Sequence, residues 1–363
     1  MKAHRVLKVP MAAPDDLAGV ETELKRQSIS PDRVKAVMCM TEGLGNGRGF
    51  ATLAFSNFFH RELGWDVNDV PKRIPLIMIG GCSGFVAPYA ALFIEDSASD
   101  GAASEPRLAI GVSSTADVDL AKFGTTVMVD EIADAVRKTM AVAGIEPKDV
   151  HNVQIKAPWP QAHELAAAKE KGKKVVTLDT NRAGMLARGG AALGVGVALG
   201  EIDRKKLSDA DIANDWSLWS DIASTSSGME RTNFAVLVMG NSRSSRSPFR
   251  IGHAAMSDAL DAQGVYDALA SAGVKADRPL AMGADNPVDH VFLKSAADGA
   301  GSCRGRRHVL GTDFLGAYSW LIGKSVIHAT VASIVGDPMM QVSGGGEHQG
   351  RPGGGHVAII ARA

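Results

Sequence analysis

The segment RGFATL at residues 48–53 returns later in the chain as RGGAAL at residues 188–193, so both copies have the form R-G-x-A-x-L. A looser third equivalent opens with KSV at residues 324–326. In each copy the cation begins a predicted helix rich in alanine and valine, and we expect apolar strands after the helices, at 75–79, 234–239 and 339–342. Chance similarity between alanine-rich helices is the alternative interpretation, and the shared position of the cations argues against it. Recurrence at long intervals indicates internal repeats.

A second pattern lies upstream of each of these three segments. Three helical stretches open with the same residue type, at Val20, Val136 and Val265, and each closes nine residues later on Ile or Val. These valines are 116 and 129 residues apart, about a third of the chain each time. A turn and a short apolar strand follow each stretch, and the strands end at Met40, Lys156 and Lys294. The sequence therefore predicts an α/β protein of three homologous repeat units, at residues 1–103, 104–250 and 251–363.

Composition narrows the function classes. A net charge of -1 over 363 residues gives no electrostatic case for a nucleic-acid or anionic-membrane partner. The N-terminal segment MKAHRVLKVP lacks the apolar stretch of a signal peptide, so we expect a cytoplasmic protein. Cys39, Cys82 and Cys303 lie far apart, which argues against a disulfide framework or a zinc site. Glycine motifs for phosphates or dinucleotides are also missing, and we expect neither cofactor nor metal.

Two of the predicted strands end in lysine, Lys156 and Lys294, although an unpaired lysine is rarely buried. A snorkelling side chain or a buried ion pair would explain either lysine alone. A lysine among other cations and away from water has a lowered pKa, and its neutral amine can deprotonate a serine. Ser226 and Ser343 both lie near glycines whose backbone N–H groups could stabilise an oxyanion, although either alone could be an ordinary turn residue. Together these residues predict Ser–Lys chemistry.

The cations of the first pattern are expected to converge with these strand ends on one axis. Arg48, Arg188 and Lys324 would donate hydrogen bonds to a ligand with several carbonyl oxygens, a task that suits guanidinium groups. Surface solvation or helix capping is the alternative. Three cations and two Ser–Lys pairs fit a small planar ring that bears several C=O groups.

At these residues the chain resembles the cyanuric acid amidohydrolase and barbiturase family of ring-opening amidohydrolases, over essentially its whole length. The most specific segments are VQIK at 153–156, NDWSL at 214–218, ASTSSG at 223–228 and the ending that starts with VSGGGEHQG at 342–350. The resemblance implies three similar units arranged as a pseudo-threefold β-barrel surrounded by helices, with the active site on the axis. It also implies a homotetramer and a small cyclic amide as substrate.

The resemblance further implies a role for each candidate residue. Lys156 would be the base and Ser226 the nucleophile of a ring opening that passes through an acyl-enzyme. Lys294 and Ser343 would hold a second carbonyl. The remaining substrate contacts are expected from Arg48, Gly80, Arg188, Ser227, Lys324 and Gly344.

The chain departs from the family pattern in its first unit. Met40 stands where the family has a lysine, and Ile79 stands where it has a serine. Loss of both partners costs less folding stability than loss of one, because no buried charge stays uncompensated. One wall of the site becomes apolar, so we expect a ring less symmetric than cyanuric acid.

A second departure concerns a divalent ion that the family holds near its C-terminus. The glutamate that binds this ion is replaced by Ala296, and Arg351 occupies a loop position that is usually proline. We hypothesise that the Arg351 guanidinium replaces the ion.

Two other functions stay open. The missing first pair would suit a non-catalytic binding protein descended from such an enzyme. A Ser–Lys amidase for linear amides is the other alternative, although a closed site argues against extended substrates.

Overall fold

Three mixed four-stranded sheets with helices packed against them form the protein in this computed structural model, which describes residues 2–97, 104–310 and 318–363. The first sheet contains β1 (Lys2–Pro10), β2 (Val34–Thr41), β3 (Leu76–Gly80) and β4 (Tyr89–Ser97), in the spatial order β1-β4-β2-β3. Strands β2 and β3 are parallel and the other pairs are antiparallel. Its helices are α1 (Ala18–Arg26), α2 (Leu44–Leu63) and α3 (Val70–Arg73), with a 3₁₀ turn at Pro31–Arg33.

The second sheet repeats this strand order. It contains β5 (Arg107–Asp117), β6 (Val150–Pro158), β7 (Ala223–Gly228) and β8 (Asn233–Ser242), in the order β5-β8-β6-β7. Strands β6 and β7 form the parallel pair. The helices are α4 (Thr126–Ala143), α5 (Ala162–Glu170) and α6 (Thr180–Leu199), with 3₁₀ turns at Pro147–Asp149, Arg204–Lys206 and Asp209–Asp211.

The third sheet has the same order again. It contains β9 (Phe249–Met256), β10 (Val288–Lys294), β13 (Gln341–Ser343) and β14 (Gly355–Arg362), in the order β9-β14-β10-β13. A small hairpin of β11 (Ser302–Cys303) and β12 (Arg306–Arg307) follows β10. The helices are α7 (Ala262–Ser271) and α8 (Ser319–Val335), with a 3₁₀ turn at Ala297–Gly299.

Each parallel pair places two strand ends side by side at the same edge of its sheet. A parallel pair requires a long crossover connection, which α2, α6 and α8 supply in the three sheets. The residues that end the two strands therefore become neighbours although they are distant in sequence. This connection positions every candidate Ser–Lys pair.

The inner strands are buried on both faces. In β2, Met38 belongs to an apolar core shared with strands of the other two sheets, such as those that carry Leu237 and Phe292. Cys39, one residue later, belongs to a separate core between the first sheet and its helices. Successive side chains of a strand point to opposite faces, so these continuous apolar runs fill two cores at once.

The α/β class is confirmed by these sheets and helices. The hydrogen-bond ladders of the described residues form three open four-stranded sheets and the β11–β12 hairpin, and no ladder joins the larger sheets into one closed barrel. The unit boundary at 103 lies outside the described residues. Among the described helices, none combines the length and the apolar character that a membrane crossing needs.

The strand predicted at 234–239 exists within β8, but the strand that directly follows α6 is β7. The prediction that each cation begins its helix was wrong: Arg48 is the fifth residue of α2 and Lys324 the sixth of α8. Arg188 lies in the middle of α6, since that helix begins at Thr180 with Asp179 as its capping residue. Apolar content alone does not distinguish a short site-bearing strand such as ASTSSG from its more apolar neighbour.

Candidate active site

A cavity of about 360 Å³ lies where parts of all three sheets meet. Nine of the ten predicted site residues line it, namely Arg48, Gly80, Lys156, Arg188, Ser226, Ser227, Lys324, Ser343 and Gly344. The tenth, Lys294, lies behind this wall and contacts Ser343 and Gly344. Residues outside the predicted set of ten complete the lining, namely Ile79, Trp159, Asn181, Met185, Asp298, Trp320, Gly345 and Glu347.

The strand register places the candidate lysines and serines opposite one another. Lys156 of β6 is paired with Ser226 of β7, and Lys294 of β10 is paired with Ser343 of β13. The same register in the first sheet pairs Met40 with Ile79. Neighbouring strands are about 4.8 Å apart, so each pair brings its two side chains together on one face.

Lys156 is buried and its ammonium group is fully engaged. Its Nζ donates to the carbonyl oxygens of Met78 at 2.6 Å and Ser227 at 3.1 Å, and lies 3.2 Å from Glu230 Oε1. Burial lowers the pKa of Lys156 to about 8, helped by Arg48 and opposed by Glu230. A group with this pKa is neutral in an appreciable fraction of molecules at mildly alkaline pH, which suits a general base.

Lys294 has a different set of partners. Its Nζ donates to the carbonyl oxygens of Thr225 at 2.6 Å and Gly344 at 3.0 Å, and contacts Ser343 Oγ at 3.3 Å. Burial lowers the pKa of Lys294 to about 7, and the charge of Arg188 acts in the same direction. A lysine–serine hydrogen bond thus occurs between Lys294 and Ser343, whereas Ser226 lines the cavity beside Lys156 without a side-chain hydrogen bond to it in the described structure.

Both lysines reach across to a neighbouring sheet. Met78, which accepts from Lys156, comes one residue before Ile79 in the first sheet. Thr225, which accepts from Lys294, comes one residue before Ser226 in the second sheet. Each lysine thus ties the end of its own strand to the equivalent strand of another sheet.

Two buried glutamates that the sequence reasoning did not assign to the site neutralise its cations. Glu230 lies 3.4 Å from Arg48 Nε, and Glu347 accepts from Arg188 Nε at 3.3 Å and from its terminal nitrogen at 2.8 Å. Burial acts to raise the pKa of both carboxyls, but the adjacent cations hold both values below the ordinary one. Each glutamate follows a candidate serine, Ser226 or Ser343, by four residues, and this shared spacing could have identified them.

The remaining polar groups of the cavity differ in how they are paired. Arg188 also donates to Ser227 Oγ at 2.9 Å. Lys324 is fully buried and donates to the carbonyl oxygens of Gly81 at 2.8 Å and Gly80 at 3.4 Å. Burial lowers its pKa to about 8. Burial and the nearby Glu347 raise the pKa of Asp298 to about 6.

The C-terminal loop does not fit an ion held by a carboxylate at position 296. Ala296 has no ligand atom in its side chain, and its backbone closes the loop by donating to Gly354 O and accepting from Gly353 N, both at 2.8 Å. No cluster of three His, Cys, Asp or Glu side chains suited to a metal occurs among the described residues. The Arg351 side chain is exposed, so the hypothesis that its guanidinium fills the loop in place of the ion was wrong.

Comparison with known proteins gives a consistent picture. A family model described as amidohydrolase ring-opening protein matches residues 5–362. A cyclic amide hydrolase of Rhodococcus sp is 56% identical over 97% of this chain and 100% of its own length. A cyanuric acid amidohydrolase of Enterobacter cloacae is 41% identical over 99% of both chains. A solved cyanuric acid hydrolase structure superposes with a TM-score of 0.92 at 35% identity, covering 100% of both chains.

Proposed function

Since the chain belongs to the family of ring-opening amidohydrolases, we propose that it hydrolyses one C–N bond of a cyclic imide through a Ser–Lys dyad and an acyl-enzyme. The relatives named above support hydrolysis of cyclic amides. The Ser–Lys dyad is proposed from the placement of Ser226 on the cavity wall directly opposite Lys156 in the strand register.

The proposed reaction begins with Lys156 in its neutral form. Lys156 takes the proton of the Ser226 hydroxyl while the serine oxygen attacks a ring carbonyl carbon. The ammonium that forms at Lys156 lies 3.2 Å from Glu230, whose carboxylate stabilises it. Backbone N–H groups near the glycines receive the oxyanion.

Collapse of the tetrahedral intermediate breaks the ring C–N bond. The leaving nitrogen takes the proton held by Lys156, and the opened substrate stays bound to Ser226 as an ester. Water then attacks this ester, Lys156 accepts the proton of the water, and Ser226 leaves with that proton. The product is a linear acid or its decarboxylation product, and the enzyme returns to its starting state.

The other polar groups are proposed to hold the ring in place. Lys294 with Ser343 would bind a second carbonyl. Further contacts would come from Arg48, Gly80, Arg188, Ser227, Lys324 and Gly344. Ile79 lines the cavity, and its strand partner Met40 lies outside the lining. The apolar Ile79 wall favours a ring whose third edge is less polar than that of cyanuric acid, because an unpaired carbonyl there would lose its hydrogen bonds with water.

The three-unit organisation is part of this proposal. The shared strand order of the three sheets supports three units around a pseudo-threefold axis, proposed at 1–103, 104–250 and 251–363. The last boundary falls inside β9, so the third unit begins no later than Phe249. Contacts of β3 with β6, of β7 with β13 and of β13 with β2 support a barrel-like closure around the cavity. A homotetramer in the cytoplasm remains our expectation from the family resemblance.

The hydrogen bond between Lys294 and Ser343 favours a second assignment, in which Ser343 is the nucleophile. The variants Ser226→Ala and Ser343→Ala separate the two, with ring opening followed by ultraviolet absorbance on cyanuric acid, barbituric acid and other cyclic imides. We expect Ser226→Ala to abolish turnover with the fold intact, and Ser343→Ala mainly to raise KM. Mass spectrometry after rapid quenching should locate the acyl group on Ser226.

Other results would select other functions. Loss of turnover in Ser343→Ala with an acyl group on Ser343 would move the nucleophile to the third sheet. Binding of cyclic imides without turnover by the wild-type protein would support the non-catalytic alternative. Faster hydrolysis of linear than of cyclic amides would support the linear amidase.

A further inference from the structure

Lys324 differs from the other two cations assigned to the ring carbonyls. Arg48 lies beside Glu230 and Arg188 beside Glu347, and each glutamate comes four residues after the serine position of its sheet. No carboxylate lies within ion-pair distance of Lys324 in the part of the chain that the structure describes. Lys324 therefore lacks a neutralising glutamate of the kind that Arg48 and Arg188 each have.

The sequence explains the difference. In the first sheet the residue four positions after Ile79 is Ser83 rather than glutamate. The Ser83 hydroxyl donates to Leu321 O at 3.3 Å and accepts from Ser325 Oγ at 2.9 Å, so it is bound to α8. The first sheet therefore lacks the neutralising glutamate as well as the Ser–Lys pair.

The groups around Lys324 supply no negative charge in its place. The Cys82 thiol is neutral at physiological pH, because burial raises its pKa to about 11. His328, on the same helix, has a pKa lowered by burial and is neutral as well. Lys294 is a further cation, and its own pKa is lowered in part by the charge of Lys324.

The geometry leaves Lys324 ready for an anionic ligand. Carbonyl oxygens of Gly80 and Gly81 hold the ammonium at the first-sheet wall of the cavity and use two of its three N–H donors. A buried cation without a counter-charge is costly, and a bound anion removes that cost. An N–H or CH₂ group between two carbonyls is acidic, as in cyanuric acid and barbituric acid respectively, and the anion carries its negative charge largely on the two flanking oxygens.

We propose that the substrate binds as its monoanion, with an oxygen of the ionised segment on Lys324. This inference rests on the ring-opening function proposed above and adds the charge state of the substrate. It makes Lys324 a specificity-determining residue that selects acidic cyclic imides over neutral rings of the same size. The carbonyl farthest from the ionised segment keeps its electrophilic character, and this carbonyl is the one presented to Ser226.

The test is equilibrium binding by calorimetry in the Ser226→Ala background, where turnover does not interfere. Barbituric acid, which is ionised at neutral pH, is compared with dihydrouracil, a neutral ring of the same size. Adding Lys324→Met should weaken barbituric acid about 10- to 100-fold, as loss of a charged hydrogen bond does, and dihydrouracil less than about threefold. Lys324→Arg should keep the preference, and Ser325→Ala, one residue along the same helix, should leave it unchanged.

A second measurement needs no change at Lys324. Cyanuric acid is titrated into Ser226→Ala at a pH where most of the free compound is still protonated, in two buffers of different ionisation enthalpy. Binding as the anion should release about one proton per molecule bound. Binding without proton release, or equal weakening of both rings by Lys324→Met, would overturn the proposal.

Failure of the hydrolase proposal would look different. If the wild-type protein opens no cyclic imide but prefers barbituric acid through Lys324, the anion site stands and the hydrolase assignment falls. If rings are opened while Lys324→Met keeps the preference, the anion site falls and the hydrolase assignment stands.

Discussion

Replacing Glu230 by glutamine should move the pH at which the enzyme becomes active. The carboxylate lies 3.2 Å from Lys156 Nζ, and it raises the pKa of that lysine against the effect of burial. At an effective dielectric constant of about 20, unit charges at this separation attract by about 5 kcal/mol. Since 1.36 kcal/mol corresponds to one pKa unit, the upper bound on the shift is roughly four units, and rearrangement of nearby dipoles reduces it to about one to three.

The assay is the pH dependence of kcat/KM for ring opening. If neutral Lys156 is the base, the rate of the wild-type enzyme rises with pH through the pKa of this lysine, which lies at about 8. In Glu230→Gln the neutral form is populated at lower pH, so the acidic limb should move down by about one to three pH units. The plateau rate should fall about tenfold or more, because the ammonium formed during attack has lost its counter-charge.

Glu347→Gln is the matched control. Glu347 neutralises Arg188 rather than Lys156, so this variant should leave the limb near its wild-type pH. Circular dichroism should show that both variants keep the fold. An acidic limb that does not move in a folded Glu230→Gln variant would refute the assignment of Lys156 as the titrating base.

Two further predictions concern the first-sheet wall and the histidines. Met40→Lys alone should lower the free energy of unfolding by about 3 kcal/mol or more, because it buries an unpaired charge. The double variant Met40→Lys/Ile79→Ser should recover part of this lost stability, because the two side chains are paired in the sheet. It should also raise kcat/KM for cyanuric acid about tenfold. Urea unfolding and absorbance assays measure the two effects, and equal stability of the single and double variants would contradict the pairing. His151 and His253 meet Nδ1 to Nδ1 at 2.8 Å, and burial lowers their pKa values to about 3 and about 4. The folded state therefore binds fewer protons than the unfolded state below about pH 6.5, so stability should be full above that pH and fall as the pH drops towards 4. His253→Asn should flatten this dependence in urea unfolding between pH 7 and 5, and a flat wild-type profile would contradict the reasoning.

The sequence was enough to predict the α/β class and the residues that meet at the cavity. Lys156 and Lys294 stood out because a lysine at the end of an apolar strand is unusual, and this signal needs no knowledge of the tertiary structure. The pairing of Met40 with Ile79 was also predictable, since both positions depart from the family pattern together.

Sequence patterns do not predict the two buried glutamates of the site or the exact bounds of its helices and strands, and the reasons are physical. Glu230 and Glu347 lie past the ends of strands, where neither helical nor strand periodicity assigns a direction to a side chain. Arg188, the partner of Glu347, is 159 residues away in the chain, so no local sequence pattern joins the two residues. Charge alone predicts Arg351 inside the loop, whereas the backbone hydrogen bonds of Ala296 already close that loop.

The reach of each lysine into a neighbouring sheet has a consequence for dividing the chain. A fragment of residues 104–250 would contain Lys156 and Ser226, yet the carbonyl of Met78 that orients the lysine would be absent. A fragment of residues 251–363 would likewise lack Thr225, the acceptor of Lys294. Each piece therefore lacks one of the carbonyl acceptors that hold its amine, so full activity should return only when separately expressed pieces reassemble.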